Sequence, residues 1–179
     1  IITGIGQGYI QTTPIQLCLM TAQIANGGHK IIPKIILDSK TEEEDKFAPI
    51  VEDAKNMKLV QDAMFSSTNE VRGTSYRSRI DDPKYQFAGK TGTAQVKRIT
   101  KQDRELDLDT SEIPYEERDH ALYVAFGPYK NPRYAASIVI EHGGSGGSVA
   151  APLAKKLFKK IIDRHEIRKN FESNKYLNI

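Results

Sequence analysis

Apolar positions fall into a few well-separated stretches, and their spacing predicts most of the elements. Between Thr13 and Asn26, the residues Ile15, Leu17, Cys18, Leu19, Met20, Ala22, Ile24 and Ala25 cover most sides of a helical wheel. That pattern predicts a helix over 13–26 that is buried all round. Thr13 suits the N-cap, Pro14 the first helical position, and Gln16 the partner position of a capping box. Asn26-Gly27-Gly28 supplies the stop. His29–Leu37 reads as a short edge strand, interrupted by Pro33. Asp53 caps a second expected helix that runs to about Ser67, with Met57, Val60 and Met64 on one face.

The second half changes period. Phe87–Val96 is strand-like, and Ala121–Phe126 and Tyr134–Glu141 are apolar and β-rich. The short Gly127–Pro132 connection makes the latter two an antiparallel hairpin. Residues 69–86 read as irregular, and 97–119 as a long charged loop of the kind that carries function. A Gly-rich segment, His142–Ser148, leads into a last helix over Val149–Arg168. Its expected apolar stripe is Leu153, Leu157, Phe158, Ile161 and Ile162, with Lys155, Lys156, Lys159 and Lys160 elsewhere and solvated. The sum is an α+β fold: an antiparallel sheet with flanking helices.

Composition narrows the classes without choosing one. The 179 residues are 39% hydrophobic and 27% charged, an ordinary globular balance. No run approaches the roughly 20 apolar residues of a spanning helix. A net charge of +3 is too small to imply nucleic acid. The single Cys18 excludes an internal disulfide and a cysteine-cluster metal site, and it reads as a packed thiol. His29, His120, His142 and His165 lack metal-ligand spacing, so neither metal nor cofactor is expected. The acidic run Glu42–Asp45 reads as solvated loop. The opening residues, Ile1 to Gly8, read as the middle of a longer protein.

Gly89-Lys90-Thr91-Gly92-Thr93 is the sharpest local feature, and three readings compete for it. A phosphate-binding P-loop needs a glycine where Lys84 stands and a helix after the motif. The second reading is a strand with small residues and no further role. The third is the Lys-Thr-Gly strand of penicillin-binding serine acyl-transferases. In that reading Gly92 lets a substrate backbone approach, and the strand edge offers N–H groups to an oxyanion. Thr91 and Thr93 share a face where two hydroxyls can bind a carboxylate, and Lys90 adds positive charge. A second candidate, Gly143-Gly144-Ser145-Gly146-Gly147, has the letters of a nucleophile elbow, with Asp163 and His165 following. Two residues apart on one helix, Asp163 and His165 face apart, which weakens it. Arg118-Asp119-His120 reads as a structural polar cluster.

Four segments together resemble class B penicillin-binding proteins. They are Ile5–Leu17, Phe87–Gln95, Arg118–Pro128 and Glu141–Gly144, in family order, and they look most like its cell-elongation branch. The resemblance implies the C-terminal portion of a penicillin-binding/serine β-lactamase-like transpeptidase domain over 1–179. It also implies serine acyl transfer between peptidoglycan stem peptides, with β-lactams as mimics of the donor. Carried over, Lys90 and the backbone N–H of Thr93 (one half of an oxyanion hole) are catalytic, and Lys90, Thr91, Gly92 and Thr93 bind substrate. The expected partners are stem peptides, β-lactams, the preceding part of the same domain and elongation-machinery proteins. The parent protein is then expected in the bacterial inner membrane with this domain facing the periplasm, and this piece by itself soluble. No serine here is followed three positions later by lysine, so the family's Ser-x-x-Lys nucleophile is not in this chain. Ser67-Thr68-Asn69 matches the letters of Ser-x-Asn but stands in the wrong order, and reads as accidental. A non-catalytic penicillin-binding-like module, or a β-lactamase or D,D-carboxypeptidase, remains open as an alternative.

Overall fold

The expected hairpin forms, and the Lys-Thr-Gly strand joins it. In the computed structural model, residues 4, 10–36, 48–97 and 108–176 are described, with side chains as far as residue 169. Strands β1 (Ala88–Ala94), β2 (His120–Gly127) and β3 (Tyr134–Ile140) pair antiparallel in the order β1-β2-β3. Gly92 stands opposite Leu122, and Leu122 opposite Val139.

This register sorts the side chains by parity into two cores. On one face, Ala121, Tyr123 and Ala125 pack with Phe87 and with Ala154 and Phe158 of the last helix, α3 (Ala151–Tyr176). Phe87 and Phe158 stack with ring centroids 5.2 Å apart. On the other face, Ala88 and Phe126 pack with Met64, Phe65 and Ile24 from α1 (Pro14–Ala25) and α2 (Ala54–Asn69). The sheet is therefore the middle layer between α3 and the α1–α2 pair.

The caps form as the sequence requires. Gln16 N–H donates to Thr13 Oγ1 at 3.3 Å, and Thr13 N–H donates to Gln16 Oε1 at 2.8 Å. Asp53 caps α2 by accepting from Lys55 N–H at 2.8 Å.

Three expectations change. Helix α1 is not buried all round: among its residues only Thr21 is buried, while Ile15 is 61% and Met20 45% exposed. It packs on the sheet and α2 with one side only. Residues 29–36 form no strand; His29 makes one bridge to Pro49, and Ile35 and Ile36 are exposed. Pro33 removes a ladder donor from the middle of that stretch. The buried stripe of α3 is Ala151, Ala154, Phe158 and Ile162, with Leu153 and Leu157 outside it. Its alanines let the helix come close to the sheet, so the stripe is set by small residues. The lysines at 155, 156, 159 and 160 are exposed as expected. Residues 5–9, 37–47 and 98–107, including the acidic run and the centre of the charged loop, lie outside the described residues.

Gly89 is fixed by a neighbour. Tyr123 lies diagonally across it, and a Cβ at Gly89 would stand 2.6 Å from the ring. The ring is buried and its hydroxyl is held by Thr68 and Ser75, both at 2.9 Å, so it has nowhere to move. Gly89→Ala is therefore expected to cost about 1–3 kcal/mol by overpacking, read as a lower denaturant midpoint. An unchanged midpoint would mean that Tyr123 is not pinned.

Candidate functional site on the edge of the first strand

The outer edge of β1 faces away from β2 and, among the described residues, pairs with no further strand. Asn69 Nδ2 donates to Phe87 O at 3.0 Å, and Thr68 Oγ1 donates to Gly89 O at 3.4 Å. Both donors come from α2, so the odd-numbered residues direct their backbone groups outward. By the two-residue period, Thr91 and Thr93 do the same. Lys90 is exposed, and its ammonium curls back to Thr91, donating to the carbonyl at 2.9 Å and to Oγ1 at 3.0 Å.

A row of hydroxyls continues from there. Thr91 Oγ1 is 3.2 Å from Thr74 Oγ1, which is 3.2 Å from Ser67 Oγ. Behind the row lies the buried Tyr123 hydroxyl with Thr68 and Ser75. Burial pushes the Tyr123 phenol above its ordinary range, against the opposing pull of those two hydrogen bonds, so it stays neutral. The assembled site is an ammonium, several hydroxyls and outward N–H groups. Such a set of donors suits an anionic or carbonyl oxygen. Lys90, Thr91, Gly92 and Thr93 thus stand on one stretch of edge, with Thr91 and Thr93 on the face shared with α3.

The competing motifs do not assemble. β1 runs as strand through Ala94, across the positions where a P-loop would begin its helix, which excludes the P-loop. Ser145 caps the turn that follows it, accepting from Ser148 N–H. Asp163 accepts from Tyr85 and His165 Nδ1 pairs with Tyr134, so the elbow has no triad. Asp119 and His120 hold the ends of loops, at Val96 N–H and His142 N–H. Cys18 is half-buried, with its thiol 3.5 Å from Ala135 O. Among the described residues no cluster could hold a metal.

A family model for the penicillin binding protein transpeptidase domain matches residues 1–159. The chain belongs to that family. It is 36% identical over 171 residues to the peptidoglycan D,D-transpeptidase MrdA of Salmonella typhimurium, covering 89% of this chain and 26% of that protein. A solved Pseudomonas aeruginosa PBP2 in complex with WCK 5153 is 38% identical, with a TM-score of 0.69 over 89% of this chain and 32% of the other. A Helicobacter pylori PBP2, in complex with MreC, is 30% identical, with a TM-score of 0.73 over 90% and 27%. The chain thus spans about a quarter of the curated relatives it matches. As in those PBP2 structures, the fold here is helices on an antiparallel sheet.

Within this transpeptidase portion, sequence reading missed the support behind the motif. Ser67, Thr68 and Asn69 match the letters of Ser-x-Asn, a match expected to be accidental. They are the last turn of α2, turned toward Thr74 and the β1 edge. Gly146 is a second support. It begins a π-type turn (Gly146–Ala150) laid on β1 and β2, where an added Cβ would meet Gly92 O at 2.5 Å and Gly92 N at 3.1 Å. Backbone cannot yield as a side chain tip can. Gly146→Ala is expected to lower stability by about 1–3 kcal/mol and to lift the turn off Gly92. A thermal melt checks the first effect, and hydrogen exchange of β1 amides the second; unchanged exchange would show the contact to be dispensable.

Proposed function

We propose that this chain is the C-terminal portion of a PBP2-type peptidoglycan D,D-transpeptidase domain, supplying its Lys-Thr-Gly edge. The observation that carries the reading is the donor set on the outer edge of β1, with the Lys90 ammonium seated on Thr91. The nucleophile, in Ser-x-x-Lys, belongs to a preceding part of the same protein. Its hydroxyl attacks the penultimate D-Ala carbonyl of a stem peptide. The C–N bond breaks, D-Ala leaves as the amine, and the acyl group passes to an amine of a neighbouring strand. A β-lactam takes the donor's place and stays bound as an ester.

In this scheme Thr91 and Thr93 bind the terminal carboxylate, and Lys90 supplies positive charge to it and to the proton transfers. Gly92, without a Cβ, lets the donor backbone lie against β1. Thr93 N–H is one half of the oxyanion hole, and a preformed donor there acts on the charge that develops in the transition state. The exposed apolar side of α1, with Ile15, Met20 and the neighbouring Ile50, supports a covering by that preceding part. The MreC complex of the H. pylori PBP2 supports a partner in the cell-elongation machinery. The likeness to MrdA-type transpeptidases supports a parent protein anchored in the inner membrane, with this portion in the periplasm; among the described residues no helix is long and apolar enough to cross a membrane.

Fluorescent penicillin tests the scheme. The chain alone should take up no label, whereas the full-length protein should be labelled stoichiometrically. Lys90→Ala or Thr91→Ala in the full-length protein should slow acylation about tenfold or more while the melting temperature barely moves. Stoichiometric labelling of the chain alone, or normal acylation of both variants, would overturn the assignment.

A further inference from the structure

We propose that Thr74, outside the Lys-Thr-Gly motif, is the positioning residue that aims the Thr91 hydroxyl proton at a bound carboxylate. The proposal rests on the transpeptidase reading and deepens it. The argument is an accounting of protons along the row Ser67–Thr74–Thr91–Lys90, whose neighbouring groups stand 3.0–3.2 Å apart. A hydroxyl has one proton and two lone pairs, and an ammonium can only donate. Lys90 therefore fills one lone pair of Thr91 Oγ1.

Two arrangements remain. If Thr91 gives its proton to Thr74, it turns only a lone pair toward the ligand, and a carboxylate is repelled. If Thr74 gives its proton to Thr91, both lone pairs are filled and the Thr91 proton is left for the carboxylate. Ser67, donating to Thr74, completes the second arrangement. The row then runs with every O–H pointing the same way, from the end of α2 to the strand edge. Each bond polarises the next, and a ligand that only accepts selects this sense. Thr74 needs no contact with the ligand to do this.

The loop carrying Thr74 is held well enough for such a task. Ser75 N–H donates to Ser67 O at 3.1 Å, and Ser75 Oγ stands 2.9 Å from the buried Tyr123 hydroxyl. Gly73 passes so close to the end of α2 that a Cβ would stand 2.6 Å from Ser66 O. On its other side, a Cβ at Gly147 would meet Thr74 O at 2.9 Å. The loop is thus clamped between α2 and the turn that leads into α3. Its hydroxyl is not freely rotating on an open surface, although Thr74 itself is exposed.

The test uses the full-length protein and two substrates that differ only in the carboxylate: benzylpenicillin and its methyl ester. Second-order acylation rates are measured for wild type, Thr74→Val and Thr74→Ser. Valine keeps the shape and removes the hydroxyl. It should slow the free acid about five- to tenfold and leave the ester unchanged, so the preference for acid over ester falls. Serine should restore the preference, and melting temperatures should agree. If valine leaves the preference unchanged, or slows both substrates equally, Thr74 only supports the fold and the proposal fails. Should the valine variant not melt cooperatively, Thr74→Ala is read by the same criterion. A wild type that penicillin does not acylate overturns the transpeptidase reading; a reactive wild type with an unmoved preference overturns Thr74 alone.

Discussion

The phenol of Tyr123 ties this structure together. It projects from the middle strand, crosses beneath Gly89, and ends between Thr68 of α2 and Ser75 of the following loop. Three elements distant in sequence meet at one oxygen. Because that oxygen is buried, each partner is worth more than it would be in water, and an absent one would leave a costly orphan. The position of the Lys-Thr-Gly edge relative to α2 follows from this contact. So does the course of residues 70–75, which brings Thr74 to Thr91. Gly89 precedes the motif's lysine for the same reason: no side chain fits above the ring.

Local rules carried most of the architecture. The capping box at Thr13, the Asp53 cap and the short 127–132 connection act within a few residues, and all formed where expected. The motif strand was legible because glycine, lysine and threonine there have roles that their chemistry alone suggests. Burial was less legible, because it depends on what lies opposite. α1 looked like a helix of the deep interior, yet within this chain only one of its sides meets the sheet and α2. In α3 the large Leu153 and Leu157 suggested the core face, but the small Ala151 and Ala154, with Ala150 of the turn before the helix, are buried there instead. The eye follows bulk, whereas close packing follows the fit.

The supporting residues were illegible for a different reason. Ser67, Thr68, Asn69, Thr74 and Ser75 are ordinary polar residues at a helix end and a turn, where such residues are common. Nothing in their spacing announces that they serve a strand some twenty positions later. One signal was present: a dense run of hydroxyl-bearing side chains on both sides of Gly73, set among Glu70, Arg72 and Arg77. Read with the glycine, it marks a place where backbone comes close and side chains turn inward.

The carbonyls of β1 lead to a last consequence. Phe87 O is taken by Asn69, Gly89 O by Thr68 and Thr91 O by Lys90. Three successive outward acceptors each already have a side-chain donor on one of their two lone pairs, while the N–H groups of the same strand point outward between them. A foreign β-strand needs donors and acceptors in alternation, so it would find the acceptor half of its ladder already engaged. The edge thus discourages the sheet extension that drives aggregation, without the proline, bulge or burial that edge strands commonly use. It still suits a guest that presents acceptor oxygens to it.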